Sequence, residues 1–340
     1  MGIQISEIIP KKEISIKDLK GKIIAIDAFN TIYQFLTTIR QADGTPLMDS
    51  KGKITSHLSG LFYRNINLLL EGVKPIYVFD GKPPELKGAE RDRRTQLKEA
   101  AQEKYNQAKS QGDIDAMRKY SQQFVSINDE IIQESKELLQ AMGIPVVQAK
   151  GEGEAEAAFL ANSGKAWASA SQDYDSIMHG ATKLIRNLTL ARKRKTPSGA
   201  YVDISIELIE FEQVLNHLQI NKDQLICLGI LVGTDYNPGG VKGLGQKRAL
   251  EVVRKYQYPI KIFEYIKEHE KLDLNFDWQM VYREFKKPDC CTDEPIEFKE
   301  PDKEKIKEIL ISREFSENRI DSGLKKLDEA KKATQQKTLF

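Results

Sequence analysis

The chain has 340 residues, of which 40% are hydrophobic and 30% are charged, proportions typical of a folded globular protein and not of a disordered one. Its 52 basic residues nearly balance its 50 acidic ones. A nucleic-acid-binding surface would therefore require basic residues to be clustered on one part of the protein. No apolar run approaches the roughly 18 residues of a membrane-spanning helix, and no membrane partner is expected. Three cysteines without a CxxC pair favour a reducing, intracellular compartment, and four scattered histidines leave oxygen as the ligand for any metal.

The N-terminal half contains short apolar runs that end in an acidic residue. The runs of this form are residues 23–27, 75–80 and 167–173. Helical patterns such as 59–71 separate them, and this alternation predicts an α/β fold with a mostly parallel central sheet flanked by helices. Functional groups gather beyond the carboxyl ends of parallel strands, so Asp27, Asp80 and Asp173 are expected to lie close together.

Residues 87–120 form a strongly polar segment, in which nine basic residues accompany six acidic ones. Such a composition predicts helices with almost no core of their own. One interpretation is a solvated helical hairpin. The other is a mobile cationic element over the carboxyl ends of the strands, and the charge pattern alone leaves both open.

Two acidic pairs share the spacing i, i+2, namely Glu152 with Glu154 and Asp173 with Asp175. In extended backbone this spacing places both side chains on one face. The acidic residues that complete a set of seven are Asp27, Asp80 and Asp235. Seven converging carboxylates require compensating cations, and two Mg²⁺ ions, for which Mn²⁺ can substitute, would serve hydrolysis of a phosphodiester. A single aspartate after a strand is more often a helix cap, so the prediction depends on the whole set.

From residue 223 onward the pattern is helical. The predicted helices are 224–232, 246–256, 260–269 and 302–310. Gly243 and Gly245 precede the second of these, where open backbone N–H groups and the helix dipole favour a phosphate. From residue 328 the Lys/Gln-rich composition predicts a flexible tail.

Several blocks resemble flap endonucleases of the XPG-type family. They are residues 26–36 (IDAFNTIYQFL), 55–64 (TSHLSGLFYR), 77–84 (YVFDGKPP), 151–157 (GEGEAEA), 171–175 (SQDYD) and 233–236 (GTDY). The blocks keep the family's order over residues 1 to about 255. The resemblance implies a Mg²⁺-dependent hydrolase that cuts branched DNA at the base of 5′ flaps, in Okazaki fragment maturation and long-patch base excision repair, with an accompanying 5′→3′ exonuclease activity.

The resemblance also implies roles for individual residues, and it makes the seven carboxylates metal ligands. Lys87 and Arg94 would lie on a helical arch over the active site and contact the scissile phosphate. Tyr33 would stack on a base, and Gly2 would be the mature N-terminus beside the active site. The residues around an implied pocket for a one-nucleotide 3′ flap are Arg40, Thr55 and Arg64.

Two further elements resemble binding motifs of the family. The turn formed by Lys242, Gly243, Leu244 and Gly245, with Lys247 just beyond it, resembles a helix-two-turn-helix element that holds uncut duplex, commonly with a K⁺ ion. The residues that resemble the start of a sliding-clamp-binding box are Gln336, Leu339 and Phe340, although the box stops after one aromatic residue. The implied partners are branched DNA, as 5′ flap, double flap, or nicked or gapped duplex, and a sliding clamp.

A monomer is expected, in the nucleoid region of an archaeal cytoplasm or, for a eukaryotic source, in the nucleus. The implied segments are an N-terminal nuclease region (1–98), a mobile cationic arch (84–135), an internal nuclease region with the helix-two-turn-helix (136–255), a helical C-terminal lobe (256–327) and a flexible tail (328–340).

The sequence departs from the family at two places near the acidic pairs. Lys150 and Gly151 stand where the family usually has Pro-Ser, so a capping hydroxyl is expected to be lost and a cation to approach the metals. Glu156 is an additional acid, expected on an exposed helix face.

Two other functions share parts of this pattern. A PIN-type RNA nuclease would have the acidic α/β core but would be shorter and would lack the arch and the glycine turn. A catalytically silent DNA-junction scaffold or clamp adaptor would keep the basic features and lose carboxylates, whereas this chain has all seven.

Overall fold

The computed structural model describes residues 3–41, 43–82, 88–190, 193–195, 201–268, 274, 276–290 and 296–335. The strands in these ranges are β1 (Lys12–Ile14), β2 (Ile23–Asp27), β3 (Lys74–Phe79), β4 (Val146–Gln148), β5 (Ala168–Ala170), β6 (Lys183–Arg186), β7 (Lys193–Lys195), β8 (Tyr201–Asp203) and β9 (Ile206–Glu210). The α-helices in the same ranges are α1 (Ala28–Thr38), α2 (Ser56–Leu70), α3 (Gly88–Gln111), α4 (Ile114–Ser121), α5 (Asp129–Ala141), α6 (Gly153–Asn162), α7 (Asp175–Met178), α8 (Phe211–Leu218), α9 (Lys222–Val232), α10 (Gln246–Lys255), α11 (Pro259–Glu268), α12 (Trp278–Lys286), α13 (Lys303–Ser312) and α14 (Glu317–Gln335).

Seven strands form the central sheet, in the order β1-β9-β6-β5-β2-β3-β4, while β7 and β8 pair separately. Strand β9 runs antiparallel to β1 and β6, and the other neighbours in the sheet pair in parallel. This confirms the predicted mostly parallel α/β fold. The chain runs from β2 outward to β3 and β4 and then returns to β5 on the other side of β2. A crevice for ligands is expected at such a reversal, beyond the carboxyl end of β2.

Helices cover both faces of the sheet, and the side chains of β2 alternate between them. Ile24 and Ile26 pack in one cluster with residues of α1, α2, α5, α13 and α14, whereas Ala25 packs in another with Leu160 of α6. These strand residues are at most 1% exposed. Full burial of one such large aliphatic side chain contributes about 1.5–3 kcal/mol, so a β-branched run buried on both faces fixes β2 at the centre.

The C-terminal helices divide between the two faces, which differs from the single lobe expected for 256–327. Helices α11 and α12 belong to the same cluster as α9, through Phe263 and Phe285. Helices α13 and α14 instead pack beside α5 and α2. Gly323 of α14 lies so close to α2 that a Cβ there would be 2.6 Å from the ring of Phe62.

The expected tail from residue 328 differs from the structure as far as Gln335, because α14 continues to that residue. Leu324, Leu327 and Ala330 are at most 5% exposed and follow the spacing of one helix face. Lys303 also pairs with Asp328 at 2.7 Å. Burial of this apolar face therefore stabilises α14 beyond residue 328, where the polar composition predicted a flexible segment.

Helices α3 and α4 form a hairpin over part of the segment expected to be an arch. Tyr105 on α3 packs edge-on against Phe124 beyond α4, with ring centroids 5.2 Å apart, so the hairpin has a small apolar contact of its own. Residues 129–135 differ from the expectation, since they begin α5, which buries Ile131 and Leu138 in the main core. No helix in the described parts of the chain is long and apolar enough to cross a membrane.

Candidate active site

Two of the predicted carboxylates follow adjacent parallel strands. Asp27 ends β2 and caps α1, accepting the Asn30 N–H at 3.1 Å, and it is only 6% exposed. Asp80 follows β3, and its Oδ1 accepts the Gly153 N–H at 2.6 Å. A Cβ at Gly153 would lie 2.8 Å from that oxygen, so only glycine permits the close approach. The end of β3 and the start of α6 are therefore held together at the edge of the sheet where the parallel strands have their carboxyl ends.

The two acidic pairs lie at helix starts. Glu152 is the N-cap of α6 and Glu154 lies in its first turn; Asp173 lies in the loop after β5, and Asp175 is the first residue of α7. In each pair the second acid lies in a helix, whereas Glu152 has the extended backbone of an N-cap, so neither pair lies wholly in extended backbone. Helix N-termini stabilise negative charge, which gives these acids a local electrostatic reason for their positions.

Five carboxylates influence one another electrostatically. Burial raises the pKa of Asp27 well above its ordinary value, and the charges of Asp80 and Asp173 raise it further. Burial also raises the pKa of Glu154, followed by the charges of Asp175, Asp27 and Asp173. Each charge therefore makes ionisation of its neighbours less favourable, which is the environment that a hard cation relieves.

Hydrogen bonds orient two of these carboxylates. Ser171 Oγ donates to Glu154 Oε1 at 2.5 Å, and Asn30 Nδ2 donates to Asp173 Oδ2 at 3.2 Å. In the described parts of the chain, no three acidic, histidine or cysteine side chains are arranged closely enough to enclose an ion by themselves. Mg²⁺ commonly binds through one or two carboxylates together with water and phosphate oxygens, so an open acidic edge of this kind fits its chemistry.

A cleft of about 910 Å³ connects this edge with the start of α10. Asp173 and Asp235 line one part of it and Gly245 another, while Arg93 of α3 lies along its wall. Arg94, the next residue on α3, donates to Asp235 Oδ1 at 2.8 Å. The predicted arch residue Arg94 and the predicted carboxylate Asp235 are therefore in contact, and α3 borders the cleft.

The turn before α10 exposes the backbone as the glycine pattern predicted. Gly245 is the N-cap of α10 with φ −77°, and Gly243 has a left-handed φ of +88°. A Cβ at either position would meet nothing within 4 Å. Leu244 is buried between them and anchors the turn, whereas Lys242 and Lys247 are exposed. The arrangement leaves a helix N-terminus and two cations accessible to a phosphate.

Tyr33 and Arg40 have contrasting environments. The Tyr33 side chain on α1 is 42% exposed, which excludes a core role and leaves its ring accessible for stacking. The Arg40 guanidinium donates to the carbonyls of Leu36 at 2.9 Å and Gly44 at 2.6 Å, and to the Ser121 hydroxyl at 2.9 Å. Arg40 therefore holds its own loop against the α4 region.

The other residues of the implied 3′-flap pocket lie at α2. Thr55 is the buried N-cap of α2, and Arg64 is half-buried on the same helix, where burial lowers the pKa of its guanidinium. Several predicted site residues fall outside the described part of the chain: Gly2, Lys87, Gln336, Leu339 and Phe340.

The two sequence departures have local explanations. The side chain of Glu156 is fully buried, so the expected exposed position is wrong; it lies on the side of α6 that faces the protein. The N-cap of α6 is Glu152, so Gly151 does not occupy a capping position. The Lys150 ammonium lies 4.0 Å from Asp289, and the Lys150 carbonyl accepts the Lys82 N–H at 3.1 Å.

The sequence analysis missed residues that contact the carboxylates. Asn30, Ser171 and Gly153 are among them, and their contacts are described above. Another is Tyr236, whose hydroxyl donates to Glu152 Oε2 at 2.7 Å. Burial, followed by the nearby Glu152 charge, raises the pKa of Tyr236. The signal for Tyr236 was its position directly after Asp235, but sequence alone does not show which carboxylate such a residue reaches.

Comparison with known proteins places this geometry in a family. Residues 1–102 match the XPG N-terminal domain and residues 143–235 match the XPG I-region. A flap endonuclease 1 from Pyrococcus abyssi is 51% identical, over 100% of this chain and 97% of the relative. The solved flap endonuclease-1 from Methanococcus jannaschii has 40% identity and a TM-score of 0.76, covering 97% of this chain and 98% of that one.

The catalytic core of Rad2 in complex with DNA substrate shares the fold, with a TM-score of 0.67 at 23% identity over 93% of this chain and 96% of that chain. The match to the P. abyssi and M. jannaschii proteins extends over nearly the whole length of each, including the C-terminal helices that the sequence blocks did not reach. The predicted family resemblance is confirmed. The chain belongs to the flap endonuclease family of XPG-type nucleases.

Proposed function

We propose that this protein hydrolyses a phosphodiester at the base of 5′ flaps in branched DNA, with two Mg²⁺ ions as cofactors. The observation that carries the proposal is the meeting of five carboxylates that follow β2, β3, β4 and β5 and repel Asp27 or Glu154, in a chain with full-length flap endonuclease relatives. All seven predicted carboxylates are retained, and a silent junction scaffold would have no use for such a costly concentration of negative charge.

The acidic edge would hold the ions through the seven carboxylates. When bound, two such ions stabilise the attacking and leaving oxygens of an in-line displacement. The chain's own polar groups prepare the edge: Asn30 orients Asp173, and Ser171 orients Glu154. Orientation before the substrate arrives lowers the reorganisation that the reaction would otherwise require.

Residues of α1 and α3 would position the strand to be cut. Arg94 already reaches the edge of the cleft, where its guanidinium pairs with Asp235. A phosphate offers it a second anionic partner with matching bidentate geometry. Tyr33 presents an exposed ring on which an unpaired base could stack. Lys87 would act beside Arg94 by family resemblance.

The turn at residues 242–247 would hold the uncut duplex through backbone N–H groups, the two exposed lysines and a K⁺ ion. Such contacts position the duplex without reading its bases, so junction shape and not sequence would be recognised. The resemblance to flap endonucleases also supports roles in Okazaki fragment maturation and long-patch base excision repair. It further supports a monomeric state, a nucleoid location, and contact with a sliding clamp through residues 336–340.

The test is incubation of end-labelled double-flap DNA with the full chain, with and without Mg²⁺, beside plain duplex and single-stranded RNA. We expect one Mg²⁺-dependent cut at the flap base and little cleavage of the two controls. Tight flap binding without cleavage at any Mg²⁺ concentration would instead support the junction scaffold. Preferential RNA cleavage would overturn the choice of substrate.

Replacing Gly245 by valine is expected to weaken binding to flap and to plain duplex alike, by about tenfold or 1.4 kcal/mol. The backbone at φ −77° accepts valine and a Cβ at this position meets no protein atom within 4 Å, so the loss would come from blocking the phosphate. Fluorescence anisotropy across a salt series should also give a shallower dependence of log affinity on log salt.

Gly245→Ala provides a graded control for this substitution, since it adds only the Cβ and should have an intermediate effect. The position of the cut should not change in either variant if the carboxylates and α3 define it. A displaced cut with unchanged duplex affinity would show that this turn helps to define the cleavage position and is not a separate site for binding the duplex.

A further inference from the structure

The turn at residues 234–237 gives two neighbouring side chains different environments. Thr234 Oγ1 donates to Asn237 Oδ1 at 2.7 Å and accepts the Tyr236 N–H at 3.1 Å. Asn237 Nδ2 donates to the Ile230 carbonyl at 2.7 Å, which ties the turn to the end of α9. Asp235 lines the cleft, whereas Tyr236 is only 8% exposed. Hydrogen bonds within the turn and to α9 therefore fix its conformation. The Tyr236 side chain points into the protein interior.

The Tyr236 ring packs against α12, and its hydroxyl reaches α6. Phe285 lies perpendicular to the ring, with centroids 5.5 Å apart. The hydroxyl lies 2.7 Å from Glu152 Oε2, so a bond across 84 residues of sequence joins the α9–α10 connection to the start of α6. Removal of the hydroxyl alone would leave the ring packing in place.

His179 lies beside the same carboxylate oxygen. Its Nε2 is 3.8 Å from Glu152 Oε2, and its ring lies 4.8 Å from Phe285. The histidine side chain is 1% exposed, and its carbonyl accepts Lys222 Nζ at 3.2 Å. Oxygen Oε2 of Glu152 thus faces two ring side chains that share one packing partner, Phe285. This environment restricts rotation of the Glu152 carboxylate about its Cγ–Cδ bond.

We propose that Tyr236 is a positioning residue, whose hydroxyl holds Glu152 Oε2 and so fixes the orientation in which Glu152 meets a metal ion. The inference rests on the proposed function, because it takes Glu152 as a metal ligand. Hydrogen-bond partners of a metal-binding carboxylate orient it and strengthen the site, and their loss typically lowers metal affinity 10- to 100-fold. Tyr236 also follows Asp235 directly, so one rigid turn would place two of the predicted ligands relative to each other.

A purely structural role for Tyr236 makes a different prediction. A hydroxyl that only satisfies a partly buried carboxylate would affect thermal stability when removed, without affecting metal binding. The distinguishing measurement is therefore metal affinity, determined apart from the rate of cleavage.

The test compares Tyr236→Phe with the wild-type full chain. We expect about a tenfold higher Mg²⁺ concentration for half-maximal single-turnover cleavage, and about tenfold weaker Mn²⁺ binding by calorimetry. Flap affinity without divalent metal should stay the same. The matched control is Tyr282→Phe on α12, which removes a hydroxyl bonded to Asp223 and should leave both measurements unchanged.

A double mutant gives a second comparison, because Glu152→Gln removes the carboxylate charge that the Tyr236 hydroxyl is proposed to orient. Tyr236→Phe with Glu152→Gln should bind Mn²⁺ no more weakly than Glu152→Gln alone. Wild-type metal affinity in Tyr236→Phe, or additive losses in the double mutant, would overturn the positioning role. Absence of Mg²⁺-dependent flap cleavage by the wild type would instead refute the proposed function, and the Mn²⁺ measurements would still test Tyr236.

Discussion

Replacing Asp173 by alanine is expected to lower the single-turnover cleavage of a flap by about three orders of magnitude, while flap affinity stays within a few-fold. Asp173 borders the cleft, influences the ionisation of Asp27 and Glu154, and is oriented by Asn30. If Asp173 binds the ions as proposed, its removal would take away one of their ligands and leave the proposed cationic contacts with DNA in place. Rapid quench at saturating Mg²⁺ gives the rate, and anisotropy without metal gives the affinity.

Two variants accompany this measurement. Asp173→Asn keeps the shape of the side chain and removes its charge, so it should be nearly as inactive as the alanine variant. Asp277→Asn, at the exposed N-cap of α12, removes a charge outside the acidic edge and should cleave normally. Near-normal cleavage by Asp173→Ala at saturating Mg²⁺ would show that Asp173 does not bind the ions.

Replacing Arg94 by alanine is expected to reduce the single-turnover rate by about 100-fold with little change in flap affinity. Its guanidinium already reaches Asp235 at the edge of the cleft, where the charge would help most as the phosphate approaches the ions. Lys87→Ala should behave in the same way if the family resemblance holds at that position. The rates are measured by rapid quench with enzyme in excess, so that product release does not contribute.

Lys109→Ala is the matched control, because it removes a cation from the last turn of the same helix. Fifteen residues of α-helix separate it from Arg94, a distance of about 22 Å. It should change neither the rate nor the affinity by more than a few-fold. If Arg94→Ala weakened binding and left the bound rate unchanged, Arg94 would attract DNA without assisting the chemistry.

The central strands could be predicted because their signal is local. The run predicted at 23–27 has the bounds of β2, and the run at 75–80 is displaced from β3 by one residue. Both are apolar runs buried in a parallel sheet and closed by aspartate. The positions of Asp27 and Asp80 follow directly from these strand ends, so this part of the site needed no knowledge of tertiary contacts.

The geometry around the acidic pairs could not be predicted in this way. The predicted strand at 167–173 ends at Ala170, because Ser171 Oγ accepts the Asp173 N–H at 3.2 Å and donates to Glu154 across the sheet edge. That turn depends on a partner 17 residues away. Burial of Glu156 has a similar origin, since a polar helix residue becomes buried only when neighbouring elements pack over it.

The packing of α13 and α14 has a consequence for the order in which the chain can fold. These last helices bury Leu310, Ile320 and Leu324 in the same core as Ile24 and Ile26 of β2. A ribosome releases β2 long before it has made either helix, so one face of the sheet lacks part of its cover until synthesis is nearly complete. Apolar surface exposed for that interval favours association between chains. The catalytic half of the sequence is therefore expected to need its C-terminal helices to become a stable, monodisperse protein.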